Sequence, residues 1–320
     1  MKLNLNHSNQ VLEIEELSQL KILHVIQSSK SAASYLIPIL ERIKSAGPNA
    51  KIILGENSVN DQLLNSFLVD VMPMELTTNL LTNFRRAKNW ADYFKNNRIN
   101  VLHCHQTRSS IIPLTAAYIA GVKIRIYHNH GLPYLGQYIF LKPFLFFLEV
   151  VNICFSTHTL FVSRSNMNEA LSGPLRFLLN GDNLIADGSI CGISSNVIPH
   201  DSKNYPKPYL TFGYVGRPNR RKGFQSLMEI WEKGHFGSSG HRLLLAGIDE
   251  GDRRRLAPKN VNVSALGFIR NMDEFYGEID VLLMPSEHEG LGMCILEAAQ
   301  YNVPCIASDI PGIRCAIVDG

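Results

Sequence analysis

Met284-Pro-Ser-Glu-His-Glu-Gly-Leu-Gly-Met-Cys-Ile-Leu-Glu-Ala-Ala299 begins at the end of a short apolar run, turns through two glycines and resumes with helical spacing. A buried strand that runs into a glycine loop and then a helix is the βα turn of a parallel α/β sheet. The glycines let backbone N–H groups approach a ligand closely, and the dipole of the helix beyond favours negative charge there. Glu289 falls in the loop and Glu297 on the helix, facing the expected cleft. Carboxylates beside an anion site are suited to accepting hydrogen bonds from sugar hydroxyls. An isolated Glu pair also reads as a solvated face, but Glu297 lies among Ile295, Leu296, Ala298 and Ala299, which weakens that reading.

Upstream, Tyr214-Val-Gly-Arg-Pro-Asn-Arg-Arg-Lys-Gly-Phe224 shows the same grammar: a strand ending at Gly216, a basic loop, and a helix from about Gly223. Arg217 and Lys222 then hang at a strand's carboxyl end beside a helix N-terminus, a place suited to a diphosphate. Taken alone, the stretch reads equally well as a solvated basic turn. Further strands are expected at 21–27, 51–54, 68–72, 101–104, 124–128, 159–163, 210–215, 242–246, 261–266, 281–284 and 305–307. Segments of helical periodicity, such as 33–45, 80–96 and 109–120, separate them. Strand and helix taking turns predicts an α/β fold of two doubly wound, Rossmann-like domains facing across a cleft. Asn196–Pro208 breaks the alternation with Ser, Asn, Asp and prolines and reads as a linker, which divides the chain into domains 1–200 and 201–320.

The 320 residues are 45% hydrophobic and 18% charged, enough apolar material for two cores. A net charge of +3 permits an anionic ligand or membrane surface and falls well short of a nucleic-acid footprint. None of the six cysteines forms a C-x-x-C pair, so buried free thiols in a reducing cytoplasm are expected, with neither disulfide nor zinc cluster. Met1–Leu20 is polar and acidic and has no apolar segment of the kind a secretory signal needs. Ile139–Val162 is rich in Phe, Leu and Val, but Lys142, Pro143, Glu149 and His158 interrupt it. It therefore reads as a buried helix over 141–154 and a buried strand over 158–163 rather than a membrane span; a membrane-facing helix is the other reading.

Three stretches in order carry a resemblance. They are Gly-Arg-x4-Lys-Gly at 216–223, Pro-Ser-x-x-Glu-Gly-x-Gly-x4-Glu at 285–297, and Asn302-Val-Pro-Cys-Ile-Ala-Ser-Asp-Ile-Pro-Gly312. Together they resemble the family-four retaining glycosyltransferases of GT-B fold, whose paired-glutamate motif has the spacing of Glu289 and Glu297. In the amino-terminal half, Val101-Leu-His-Cys-His-Gln-Thr-Arg108 is similar to that family's His-x-His strand end, with Asn100 where an acid is usual. Ile126-Tyr-His-Asn-His-Gly-Leu-Pro133 resembles the segment that carries its sugar-contacting histidine. Asp187-Gly-Ser-Ile-Cys-Gly192 looks like a turn of members that build bacterial capsules and O-antigens.

The resemblance implies roles residue by residue. Arg217 and Lys222 would hold the donor diphosphate and stabilise its growing charge, and Glu297 would bind ribose hydroxyls. Glu289 would contact the donor sugar, helped by the N–H groups of Gly290, Leu291 and Gly292. His130 would reach the sugar from the other domain, with His128 the next candidate; His105, Arg108 and the segment near Phe144 are acceptor-side or membrane candidates. The implied function is transfer of a sugar from a nucleotide diphosphate sugar, expected to be uridine-linked, to a growing surface glycan or lipid-linked acceptor. No metal or other cofactor is expected, because two basic side chains can take a divalent ion's role. The expected location is cytoplasmic, peripheral at the inner face of the membrane, with no nucleic-acid partner.

The sequence also departs from the family. Ser31-Ala32-Ala33 replaces a glycine pair, which puts a close phosphate approach there in doubt. Cys315 stands where a glutamate is common, and the second domain reads as incomplete after Asp319-Gly320. These departures frame the alternative reading, a truncated, non-catalytic remnant that binds nucleotide sugar or a partner. A GT-B sugar-nucleotide epimerase would share the architecture but lacks the Glu-Gly-x-Gly-x4-Glu arrangement.

Overall fold

The computed structural model describes residues 19–56, 61–179, 183–185, 188–189, 191–193, 208–257, 261–269 and 271–318. The amino-terminal segment before residue 19, most of the expected linker, Asp187 and Ile190 of the 187–192 turn and the last two residues lie outside the described set.

Two compact units emerge, and they do not divide at a single point of the chain. One runs through Asn129 and adds Phe147–Leu160 and Leu178–Asn183; the other takes His130–Phe146, Phe161–Phe177 and the chain from Leu184. The first unit is built on strands β1 (Lys21–Ser28), β2 (Asn49–Glu56), β3 (Leu68–Val71), β4 (Val101–His105), β5 (Ile124–Asn129) and β6 (His158–Phe161), in the order β3-β2-β1-β4-β5-β6. The second is built on β7 (Thr211–Val215), β8 (Arg242–Ala246), β9 (Val263–Gly267), β10 (Val281–Met284) and β11 (Cys305–Ala307), in the order β11-β10-β7-β8-β9. In each sheet the chain starts in the middle, winds to one side, then returns to wind to the other. That is the doubly wound Rossmann-like arrangement, and its pairs β1·β4 and β7·β10 are the points where winding reverses.

Buried parallel strands need apolar residues on both faces, and the sequence supplies them. Leu243 and Leu245 of β8 pack with Tyr214, Phe224, Leu227 and Trp231 on one side. Leu244 and Ala246, the alternate residues, pack with Phe275, Ile279, Leu282 and Ile295 on the other. In the first unit Ile26, Ile52 and Leu54 meet Leu36, Leu40 and Leu64. Each of the leucine, isoleucine and phenylalanine side chains contributes roughly 1.5–3 kcal/mol when fully buried.

The eleven strands found among the described residues fall where the alternation places them. The helical segments hold too: Leu80–Asn97 is capped by the Asn79 side chain, which accepts the Thr82 N–H at 3.1 Å. Two readings need correcting. The helix Lys142–Phe155 buries only Leu148, Glu149, Asn152 and Ile153, while Phe144 and Phe147 near its start are exposed. Its apolar run therefore reflects a surface as well as a core. Among the cysteines Cys104 is buried, but Cys154 and Cys315 are exposed.

Glu149 anchors this helix to the first sheet. Its carboxyl accepts hydrogen bonds from Thr107 Oγ1 at 2.5 Å, Tyr127 OH at 2.8 Å and Asn129 Nδ2 at 2.9 Å. Complete burial outweighs those three donors and pushes the carboxyl up to about 7. On the other face of the strand, burial pushes His128 down to about 4, and His24 likewise.

Two opposing pH dependences follow. A histidine with a lowered folded pKa supports stability above its unfolded value of 6.5 and loses that support as pH falls toward 4. An acid with a raised folded pKa does the reverse: folding gains as pH falls from about 7 toward its unfolded 4.5. Glu149→Gln removes the second effect and leaves the first. Between pH 7 and pH 5 the variant should lose on the order of 2 kcal/mol more stability than the parent chain, measured by urea unfolding at each pH.

Candidate functional site

The second sheet reverses at β7 and β10, so the loops leaving their carboxyl ends become neighbours although 67 residues separate Lys222 from Glu289. Lys222 Nζ meets Glu289 Oε1 at 2.6 Å, with the carboxylate side chain only 11% exposed. Ser286 Oγ donates to the same oxygen at 2.8 Å. Arg217 and Arg221 stand close by, exposed, and the charges of Glu289 and Arg217 both act on Arg221. The result is a carboxylate set among basic side chains at a strand end, beside the N-terminus of the helix Met293–Gln300.

The two loops are held together by close backbone approach. Gly223 has φ +66, and a Cβ there would lie 1.9 Å from the Pro285 carbonyl oxygen. The Glu287 N–H donates to Arg221 O at 2.9 Å across the same junction. Tyr214 OH, at the end of β7, donates to the carbonyls of Arg217 at 3.1 Å and Lys222 at 3.3 Å. The basic loop is therefore a fixed turn rather than a loose solvated one.

Glu297 sits on the helix, and Tyr276 OH donates to its Oε2 at 2.7 Å. The aromatic partner keeps the carboxylate from swinging freely and leaves Oε1 for another donor. The Gly292 N–H is given to Gly312 O at 3.2 Å, so that expected ligand donor is engaged within the chain. Gly290 presses on the backbone of His130: a Cβ on it would lie 2.4 Å from His130 O. Its carbonyl accepts from Ser163 Oγ and Asn166 Nδ2, both at 2.7 Å. His130 thus belongs to the same compact unit as Glu289, not to the first as the sequence suggests.

Several residues around this loop carry no sequence signal of their own. His288 is buried, and desolvation together with Arg221 and Lys222 drives its pKa down to about 3, so it is neutral. Ser163 and Asn166 come from far upstream, and Tyr276 from a different helix. Only the aromatic at Tyr276, five residues ahead of the strand Val281–Met284, could have hinted at a buried partner.

The first-unit candidates separate. His105 and His128 are buried at 0% and 5% exposure within a histidine cluster on the sheet face, rather than presented to an acceptor. Arg108 is exposed and meets Glu75 at 3.4 Å.

A paired substitution isolates the loop junction. Gly223 and Gly267 share a left-handed backbone, φ +66 and +67, but nothing lies within 4 Å of a Cβ on Gly267. Gly267→Ala should cost about 1–2 kcal/mol for backbone strain alone. Gly223→Ala should cost at least about 2 kcal/mol more, because the clash with Pro285 O cannot relax without parting the loops. Chemical denaturation of the two variants checks this.

Comparison with known proteins agrees with this geometry. Residues 209–320 match the family model described as Glycosyl transferases group 1. The chain is 24% identical to the capsular polysaccharide biosynthesis glycosyltransferase CapM of Staphylococcus aureus, over 94% of this chain and 82% of that protein. It is 23% identical to the O-antigen biosynthesis glycosyltransferase WclY of Escherichia coli, over 84% of this chain and 78% of that one. Among solved structures, Anabaena Alr3699/HepE in complex with UDP and glucose aligns with a TM-score of 0.66 at 17% identity, covering 92% of this chain and 82% of its own. With both reversal points, both loop motifs and these matches in agreement, residues 209–320 form a glycosyl transferases group 1 domain and the chain is a glycosyltransferase of the GT-B fold.

Proposed function

We propose that the chain transfers a sugar, with retention of anomeric configuration, from a uridine diphosphate sugar to a growing surface glycan or lipid-linked acceptor. The 2.6 Å contact of Lys222 with Glu289 carries this reading. It holds a cation and a carboxylate side by side at the strand ends, the two groups a sugar diphosphate needs at its charged and hydroxylated ends. As the glycosidic bond breaks, negative charge grows on the leaving diphosphate. Arg217 and Lys222, with Arg221 beside them, are preorganised to stabilise it. Glu289 accepts from the sugar hydroxyls and Glu297 from the ribose, with Tyr276 fixing its orientation. His130, seated against Gly290, faces the same sugar. Three basic side chains supply the positive charge, so the reaction proposed here calls on no divalent ion. The complex of a structural neighbour with UDP-glucose supports a uridine donor, and the capsule and O-antigen names of the relatives support a surface glycan.

Titration calorimetry with UDP and UDP-glucose tests the assignment. Lys222→Met should weaken UDP by roughly 10–150-fold, the value of a charged hydrogen bond at about 1.5–3 kcal/mol. Glu297→Ala should also weaken UDP, whereas Glu289→Gln should leave UDP binding intact and reduce sugar transfer. Unchanged UDP affinity in both Lys222→Met and Glu297→Ala would remove the donor site from these loops.

In this reading the acceptor lies at an anionic membrane, on the cytoplasmic side. No described helix is long and apolar enough to cross a membrane. The start of the helix Leu80–Asn97 instead exposes Leu80 at 82% and Phe84 at 69%, with Leu81 beside them and the exposed bases Arg85 and Lys88 following. Apolar tips followed by cationic side chains suit insertion at the headgroup boundary. Ile139, Phe140 and Phe144 form a second exposed apolar group. Co-sedimentation should show binding to vesicles containing anionic lipid, less to zwitterionic ones, and less again for Leu80→Glu/Phe84→Glu.

A further inference from the structure

Strand register brings four histidines onto one face of the first sheet. His24 of β1 is the parallel partner of His103 in β4, and His105 is the partner of His128 in β5. His103 and His105 are two apart in one strand, so all four project to the same side. They lie around β1·β4, where the strand order reverses and doubly wound sheets take their ligands. His24 Nδ1 and His105 Nε2 are 3.2 Å apart, and His103 Nε2 and His128 Nδ1 are 3.3 Å apart. One ring nitrogen from each of His24, His103 and His105 falls within 4.8 Å of the other two.

Three features set this cluster apart from ordinary packed core. His24 is 1% exposed, and among the described residues its ring is held through Nδ1 alone, against His105 Nε2. Gln106, directly after His105, holds φ 70 and ψ 149, a region that is strained for any residue with a side chain. The rings also crowd one another, with the His103 and His105 centroids 4.3 Å apart and those of His24 and His103 4.8 Å apart. A group of three imidazoles suits zinc, copper or nickel and not magnesium or calcium.

We propose that His24, His103 and His105 form a binding site for a transition-metal ion of the zinc class, with His128 as the residue that positions His103. Tetrahedral nitrogen ligands at about 2.0–2.1 Å from zinc stand roughly 3.3 Å from one another. The ring nitrogens of His24 and His105 already have that spacing; a ring rotation of His103 completes the set. The ring that donates in the His24–His105 bond takes its other tautomer, so both nitrogens face the ion with no change in protein charge. Three protein nitrogens leave a fourth position for water. His128 holds the second nitrogen of His103, the arrangement that commonly orients a ligating imidazole. His103 is half-buried, which provides the approach. This site lies in the first unit and is independent of the donor reading above.

Cobalt(II) titration of the chelator-treated 320-residue chain tests the proposal. The expected result is the visible absorption of tetrahedral cobalt, saturating at one ion per chain and displaced by zinc. His24→Phe and His103→Gln should each abolish the bands, while His128→Gln should keep them and weaken affinity by roughly 10–100-fold. Circular dichroism of each variant establishes that it is folded; should His24→Phe fail to fold, the half-buried His103→Gln decides. The proposal is overturned by a folded parent chain that gives no bands. It is equally overturned by bands unchanged in the folded histidine variants, or by bands lost on alkylating the exposed Cys154 and Cys315 alone.

Discussion

Parallel pairing of Val281–Met284 with Thr211–Val215 is the constraint on which the donor-side architecture depends. Parallel strands point their carboxyl ends the same way, so the loop after each must emerge on one edge of the sheet. Because the chain winds outward from β7 and returns to β10, the two loops on that edge are distant in sequence and adjacent in space. Lys222 and Glu289 can then meet at 2.6 Å. A hairpin fold would have sent the loops to opposite edges.

Close packing converts that adjacency into a defined geometry. The backbone at Gly223 approaches Pro285 so closely that no side chain fits, and Gly290 approaches His130 in the same way. Such contacts leave the loops little freedom, which suits a site whose task is to hold charge in place while a bond breaks. The ion pair itself is a poor source of stability, since desolvating both groups offsets most of their attraction. Its worth is positional.

The first unit handles polarity differently. On one side of β5, Tyr127 and Asn129 hand a buried carboxyl three hydrogen bonds with Thr107; on the other, His128 joins a stack of imidazoles. Alternation along a single strand therefore separates an acid network from a basic-ring cluster by one sheet thickness. The pKa shifts on the two sides run in opposite directions because burial disfavours whichever form is charged.

Much of this was legible in the chain. Apolar runs gave up the eleven strands seen among the described residues, most directly the central β1, β4 and β8, because a strand buried on both faces has no other composition open to it. The loops after Gly216 and Met284 announced themselves through glycines and charges, since backbone chemistry at a strand end demands those residue types locally. What the chain alone could not determine was anything that rests on register between distant strands. The meeting of His24 with His103, the grip of Ser163 and Asn166 on Gly290, the grouping of His130 with the second unit and the exposure of Phe144 all depend on which segments become neighbours. Local periodicity decides what each segment is; only the folded sheets decide what each side chain touches, because parallel winding joins residues that no sequence spacing relates.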